Sequence, residues 1–517
     1  MTRKGSANTM RSPILLIMTF IQLGGCLPWV DGLFEFSGDG GGADSLSNSG
    51  PMDPTGGAGP GGDDTTSPAT SAGTMPADTT TSADTTTSAE TSASETETGD
   101  RGGAPMCSTA EQSTPALAFA MTGKDLPAIA VGKDCQTYMT GVRGDWGACP
   151  SSSAGVGMAY LARLAGDGSC QHIIELPGQR GSDVAMLGDG AVIVAGKVAD
   201  GTPALLARVN SDNEVQLSDY SGPGTHARAL AVTPDHVFVA GACPGDGDHT
   251  VWLARFDHTL GSVVETDCVD STLLEGRAIA AASDRVFVVG KMADTTAYIA
   301  SYDLALAPPA VVEIIGVEPD FGTQTGHGAG IAASTHGVYV AIGCEGDEFG
   351  PAGKIVSCDD PDNLQGANIA LVHLDSAGTP VDTLVFGGIG EQHVTALALA
   401  DADTLVMAGS FEGSISLTQQ LSASEALGAT YSFIAWFDIT GGAPVAKDLW
   451  FVDHDNDGSS MAFDIAVNVG APADALRVVV AGAATGTACV RPYSEVCTSL
   501  PVAVGDQNFL ASLPLLP

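Results

Sequence analysis

One phrase recurs seven times between residue 115 and the C-terminus. Its clearest copies are RALAVTPDHVFVAG…VWLARFD (Arg228 to Asp257) and RAIAAASDRVFVVG…AYIASYD (Arg277 to Asp303). Each copy reads as an apolar strand, a tight turn, a β-branched strand closed by Gly, a variable loop, and a third strand. The closing glycines are Gly141, Gly196, Gly241, Gly290, Gly343, Gly409 and Gly482. The third strands are MAYLARLA, ALLARVN, VWLARFD, AYIASYD, IALVHLD, FIAWFD and NFLASLP. A unit of this size cannot bury its own faces, so it must stack on its neighbours. Short strands without helical periodicity give an all-β class. Four strands per unit, seven times over, predict a seven-bladed β-propeller of four-stranded blades.

The phrase resembles the seven-bladed propeller repeats of many secreted bacterial proteins. That resemblance implies a fold and almost nothing about activity, because propellers host unrelated functions. The last unit supplies only three strands, Phe463 to Val469, Leu476 to Gly482 and Asn508 to Pro514, whereas a spare strand, ALAFAMTG (Ala116 to Gly123), precedes the first unit. Pairing this N-terminal strand with NFLASLP completes the seventh blade and removes open sheet edges.

The rest of the chain divides into a leader and a linker. Arg3, Lys4 and Arg11 precede the apolar run Ile14 to Leu23, which is too short to span a bilayer comfortably. It ends in Leu23-Gly24-Gly25-Cys26, which resembles the lipobox of bacterial lipoproteins. The resemblance implies a signal peptide over residues 1–25, diacylation (palmitate) of Cys26, and, since Leu27 rather than Asp follows, sorting to the outer membrane, facing the periplasm or the cell surface. Residues 26–106 are a Gly/Ser/Thr/Asp-rich linker with almost no apolar periodicity. Such a segment cannot offset its ordering entropy and is expected to be a disordered tether with a reach of about 45 Å. The propeller occupies 107–517.

Charge narrows the partners. With 61 acidic against 20 basic residues, the net charge of −41 excludes nucleic acid, which requires clustered Lys and Arg. Beyond the lipid, no membrane contact is expected. An envelope protein or a glycan is the partner class that remains.

Ten cysteines remain besides Cys26, an even number in an exported chain, and they read as disulfides. Strand order places Cys243 near Cys268, Cys344 near Cys358 and Cys489 near Cys497. Cys135 and Cys170 fall on the opposite face of the first blade, leaving Cys107 with Cys149.

Two places could carry chemistry. DHDNDGSSMAFD has carboxylates at alternate positions followed by Gly, a pattern that wraps a hard cation. Asp453, Asp455, Asp457, Ser459 and Asp464 would hold calcium. The loop resembles EF-hand-like loops, with Asp in place of the closing Glu and no flanking helices. An acidic solvated turn is the plain alternative. The second place is the rim of the central channel, where Asp183, Arg228, Arg277 and Asp464 should converge, with His226, His327 and His393 in nearby connecting loops. These groups suit a small anionic ligand or a partner. The structural alternative is an Asp183–Arg228 ion pair between neighbouring blades. No GxSxG, P-loop, HExxH or sialidase box is present, and Trp252 and Trp436 read as packing residues. The expected function is therefore a lipid-anchored envelope protein displaying a binding scaffold without catalysis. The alternatives are a polysaccharide hydrolase or lyase using acidic residues at the channel mouth, and a structural subunit of an envelope complex.

Overall fold

The computed structural model describes residues 116–121, 128–132, 134–142, 158–166, 169–199, 202–243, 251–261, 263–265, 273–292, 297–307, 309–315, 329–344, 350–351, 357–358, 368–424, 429–454, 458–468, 477–485, 488–492 and 507–514. All belong to one compact unit, Thr96–Pro517. Cys26 and the segment 26–106 lie outside the described residues.

Seven antiparallel sheets follow one another along the chain, each built around four strands. Their innermost strands are Ala128–Val131, Arg180–Met186, His226–Val232, Leu273–Ala281, Ala329–Ser334, Gln392–Leu399 and Ser459–Val467. Strands two and three of each blade are continuous apolar runs because neighbouring blades cover both faces. Val237–Ala242 (VFVAGA) is buried at every residue. The core accordingly lies between blades: Trp252 of the third blade shares a buried cluster with Ala195 and Leu206 of the second. Trp252 and Trp436 are both buried packing residues.

The seventh blade closes the ring as the sequence predicts. Its order is Ala116–Met121, Gln507–Pro514, Arg477–Thr485, Ser459–Val467, from rim to channel. Phe119 faces Phe509 across the antiparallel pair.

Two features of the repeated phrase acquire physical reasons. In five blades the innermost strand carries a β-bulge, at Gly181/Asp183, Ala227/Ala229, Gly276/Ala278, Val394/Ala396 and Ala462/Asp464. In each of these the closing Gly of strand two faces the residue just before the bulge. At Gly241 a Cβ would lie 2.0 Å from the carbonyl oxygen of His226, so only Gly allows the bulge to form. The acid or amide that ends the phrase caps the turn into strand four. Asp257 Oδ1 accepts the amides of Thr259 and Gly261, and Asp303 Oδ1 accepts those of Ala305 and Ala307. Asn210 and Asp375 repeat the arrangement.

Loops after strand two reach back to the preceding blade. Gly350–Pro351, from the fifth blade, adds a fifth strand to the fourth by pairing with Ala310–Ile315. Ala488–Pro492, from the seventh blade, does the same to the sixth by pairing with Val445–His454. The Cys344–Cys358 disulfide, with a Cα–Cα distance of 6.0 Å, closes the base of the first of these excursions. Cys135, Cys170, Cys243 and Cys489 are disulfide-bonded as well. Cys107, Cys149, Cys268 and Cys497 lie outside the described residues.

Candidate functional site: the central channel

The bulges fix which side chain each inner strand presents to the next blade. The residue paired just beyond the bulge, or at the matching register, is Ala128, Asp183, Ala229, Ala278, Gly330, Ala396 or Asp464. Five of the seven are Ala or Gly, and two are Asp. At Gly330 a Cβ would lie 2.6 Å from the backbone nitrogen of Leu397 in the following blade, so this position aims at that blade's inner strand.

The two carboxylates use that aim to bridge blades. Asp183 Oδ2 accepts the amide of Leu230 in the third blade at 2.6 Å, while Oδ1 accepts that of Val184 in its own blade at 2.7 Å. Asp464 Oδ2 accepts the amide of Ile129 in the first blade at 2.7 Å, and Oδ1 that of Ile465 at 2.8 Å. Four amides at matching positions in the seventh, first, second and third blades are thereby satisfied by two side chains.

Burial pushes the Asp183 carboxyl up to about 8, and the nearby charge of Asp464 adds to the rise, against the two amides that favour ionisation. Burial likewise raises Asp464 to about 7, opposed by Ile129 and Ile465. Each side chain keeps part of its surface accessible, as a group beside a narrow channel does, so its dehydration is incomplete.

The other rim residues fall on the same inner strands. Arg228 and Arg277 are bulge residues, one position short of the place that Asp183 and Asp464 occupy. Asp183 binds the backbone of Leu230, two residues beyond Arg228 on the same strand. Arg277 is buried. His226 and His393 lie within strands, not in connecting loops, because His226–Val232 and Gln392–Leu399 begin earlier than their apolar alternation. The His226 Nε2 lies 2.8 Å from Ser182 Oγ, a contact between adjacent blades that sequence reasoning missed. The His393 Nε2 lies 3.4 Å from Glu391. His327 lies outside the described residues.

The acidic loop is divided by the fold. Asp453 is the penultimate residue of the fourth strand of the sixth blade, Val445–His454, and takes Arg491 Nε at 2.7 Å. Ser459 opens the inner strand of the seventh blade and donates its amide to Thr485. Asp464 lies five residues further along that strand, on Ile129 and Ile465. Asp455 and Asp457 lie outside the described residues. A cation drawn to Asp453 would compete with the Arg491 guanidinium. Among the described residues no group of three His, Cys, Asp or Glu side chains could hold a metal ion.

The innermost strands and the turns after them line a half-open pocket of about 610 Å³ at the turn end of the channel. Ile129, Val131, Met186, Leu187, Val232 and Val467 contribute its apolar walls, with Asp134 and Tyr138 at one side. The Tyr138 hydroxyl is held up by burial, countered by Arg163. This cavity was not legible in sequence, because the residues that form it read as ordinary strand ends.

No protein-family model matches the chain, and no curated protein does either. Solved structures similar to it include hydrazine synthase from Kuenenia stuttgartiensis, at 14% identity over 60% of this chain and 77% of that one, with a TM-score of 0.35. The Neurospora crassa Pan2 WD40 domain is 8% identical over 76% of this chain and 90% of that one, with a TM-score of 0.41. The Dos1 propeller is 10% identical over 77% and 94%, with a TM-score of 0.39. Similarity at this level assigns no function.

Proposed function

We propose that this chain is a lipid-anchored protein of the bacterial envelope that presents its propeller as a binding scaffold, with an envelope protein or glycan as partner. The anchor rests on the apolar run ending in Leu23-Gly24-Gly25-Cys26. The binding role rests on one observation: the strands repeat from blade to blade while the loops after strand two do not, and the loop fixed by Cys344–Cys358 is fastened to a neighbouring blade. Variable loops on a rigid frame are where recognition is ordinarily built. Polysaccharide hydrolysis would need carboxylates free to reach a sugar, and Asp183 and Asp464 are each engaged with two backbone amides.

Metabolic labelling with a palmitate analogue, followed by membrane fractionation, tests the anchor. Wild-type protein should carry label and sediment with outer membranes, and Cys26→Ala should do neither. Unlabelled wild-type protein would overturn the anchoring. Crosslinking in intact cells from cysteine-directed probes on the 345–357 loop should trap one dominant partner; a probe at the Asp189 turn on the other face serves as the control.

A further inference from the structure

We propose that the loop end of the channel binds a small phosphate- or sulfate-bearing ligand, held by Arg180, Ser182, His226, Arg228 and Arg277 on the inner strands of the second, third and fourth blades. This goes beyond the scaffold role and does not depend on the anchor. It gives the mouth from which the loops after strand two rise a ligand chemistry of its own.

Register places these residues at one level. Arg180 and His226 immediately precede Gly181 and Ala227, the residues that face the closing Gly of strand two. Ser182, Arg228 and Arg277 are the bulge residues that follow at that point in their blades. The second and third blades are close enough here for side chains to meet, because Ser182 Oγ lies 2.8 Å from His226 Nε2. A Cβ on Gly276 would lie 3.0 Å from that of Ala240 in the third blade, so the fourth blade is comparably near.

Charge is the second argument. The whole chain has 20 Lys and Arg residues against 61 acids. Three of the arginines nevertheless stand on adjacent blades at this level, and Lys197 pairs with Arg180 across strands one and two of the second blade. Among the described inner-strand residues Glu275 is the acid at this level, and it stands opposite Lys291. Asp183, one residue further in than Ser182, is turned onto the amides of Leu230 and Val184. Arg277 is buried, and Arg180 and Arg228 are half-buried. A surplus of positive charge in a confined mouth attracts an anion. Arg180 carries the argument furthest. Its Nε–H is buried without a hydrogen-bond partner among the described residues, and a buried donor left unsatisfied is costly. A phosphate or sulfate oxygen supplies the acceptor, and guanidinium groups bind such anions through paired donors. The Ser182 hydroxyl and the His226 ring add hydrogen-bonding groups between the arginines of the second and third blades.

The test titrates glucose 6-phosphate, inorganic phosphate and glucose into the purified full-length protein by isothermal titration calorimetry, at about pH 8, where phosphate esters are dianions. At least one of the two phosphates should bind saturably, and glucose should not. The tighter of the two tells an ester ligand from the free ion. Arg180→Ala should weaken phosphate binding by about tenfold or more. Arg180→Lys, which keeps the charge but loses the Nε–H, should weaken it too. Arg208→Ala removes a guanidinium that binds Asp189 at the turn end, and should leave phosphate affinity unchanged. No saturable binding of either phosphate by the wild type, equal binding of glucose, or equal losses in Arg180→Ala and Arg208→Ala would overturn the proposal. The wild-type comparison stands even where the Arg180 variants fold poorly. A failure of palmitate labelling leaves this result unaffected.

Discussion

The carboxylate of Asp464 accepts the backbone N–H of Ile129 at 2.7 Å, across 335 residues of sequence. It joins the last blade to the first at the channel, while the pairing of Ala116–Met121 with Gln507–Pro514 completes the same blade at the rim. The ring is thus closed twice, once by a side chain and once by a strand.

Removing the inner closure should loosen that junction specifically. Asp464→Ala strands the Ile129 amide and should cost about 1–3 kcal/mol. Hydrogen exchange should accelerate in Ala128–Val131 and Ser459–Val467 more than in the fourth blade. Uniform acceleration through all blades would contradict a local clasp.

The two carboxyls should also make stability fall as pH rises. An unfolded Asp titrates near 3.8, whereas Asp183 and Asp464 titrate near 8 and 7 when folded. Between these values the folded protein holds protons that the unfolded chain has released. Their contribution is therefore greatest below pH 3.8 and is lost as pH rises through 7 and 8. Arg180, His226 and Arg228 on the adjoining strands, and Asp134 and Tyr138 in the cavity, are the other titratable groups nearby. Asp189 and Asp438, whose carboxyls are lowered by hydrogen bonds, act in the opposite sense only in acid. Melting temperatures should drop between pH 5 and pH 9 in the wild type, and the drop should shrink in Asp183→Asn.

Gly241→Ala should destabilise the fold by about 3 kcal/mol or more, since its Cβ would collide with the His226 carbonyl at a point where backbone cannot yield. Gly188→Ala, which meets nothing within 4 Å, is the control and should leave the denaturation midpoint nearly unchanged.

Opening the Cys344–Cys358 bridge with paired Ser substitutions should cost about 3 kcal/mol for a loop of this length. Both cysteines are buried, so the loss should appear in urea unfolding and in faster proteolysis of the loop. An unchanged midpoint would mean that Gly350–Pro351 holds the excursion without the bridge.

The fold was legible because its signals are local. Gly241, the VFVAG run before it and the Asp257 that ends the phrase each reflect a turn or strand whose chemistry lies within a few residues. Closure was legible for the same reason, from a strand too many at one end and one too few at the other. The channel was not. That Asp183 addresses the next blade depends on a bulge, which the closing Gly of strand two permits but which nothing in the inner strand itself announces. The added strands Gly350–Pro351 and Ala488–Pro492 were missed because their partners belong to other blades.

The order of strands in the seventh blade has a mechanical consequence. Ala116–Met121 is its outermost strand, so any pull on the chain ahead of Ala116 falls first on six residues at the rim. Two further strands separate that edge from Ser459–Val467 and the Asp464 bond. Tension would peel the rim before it reached the channel, and the inner ring could keep its shape while the outer seam opened and rejoined.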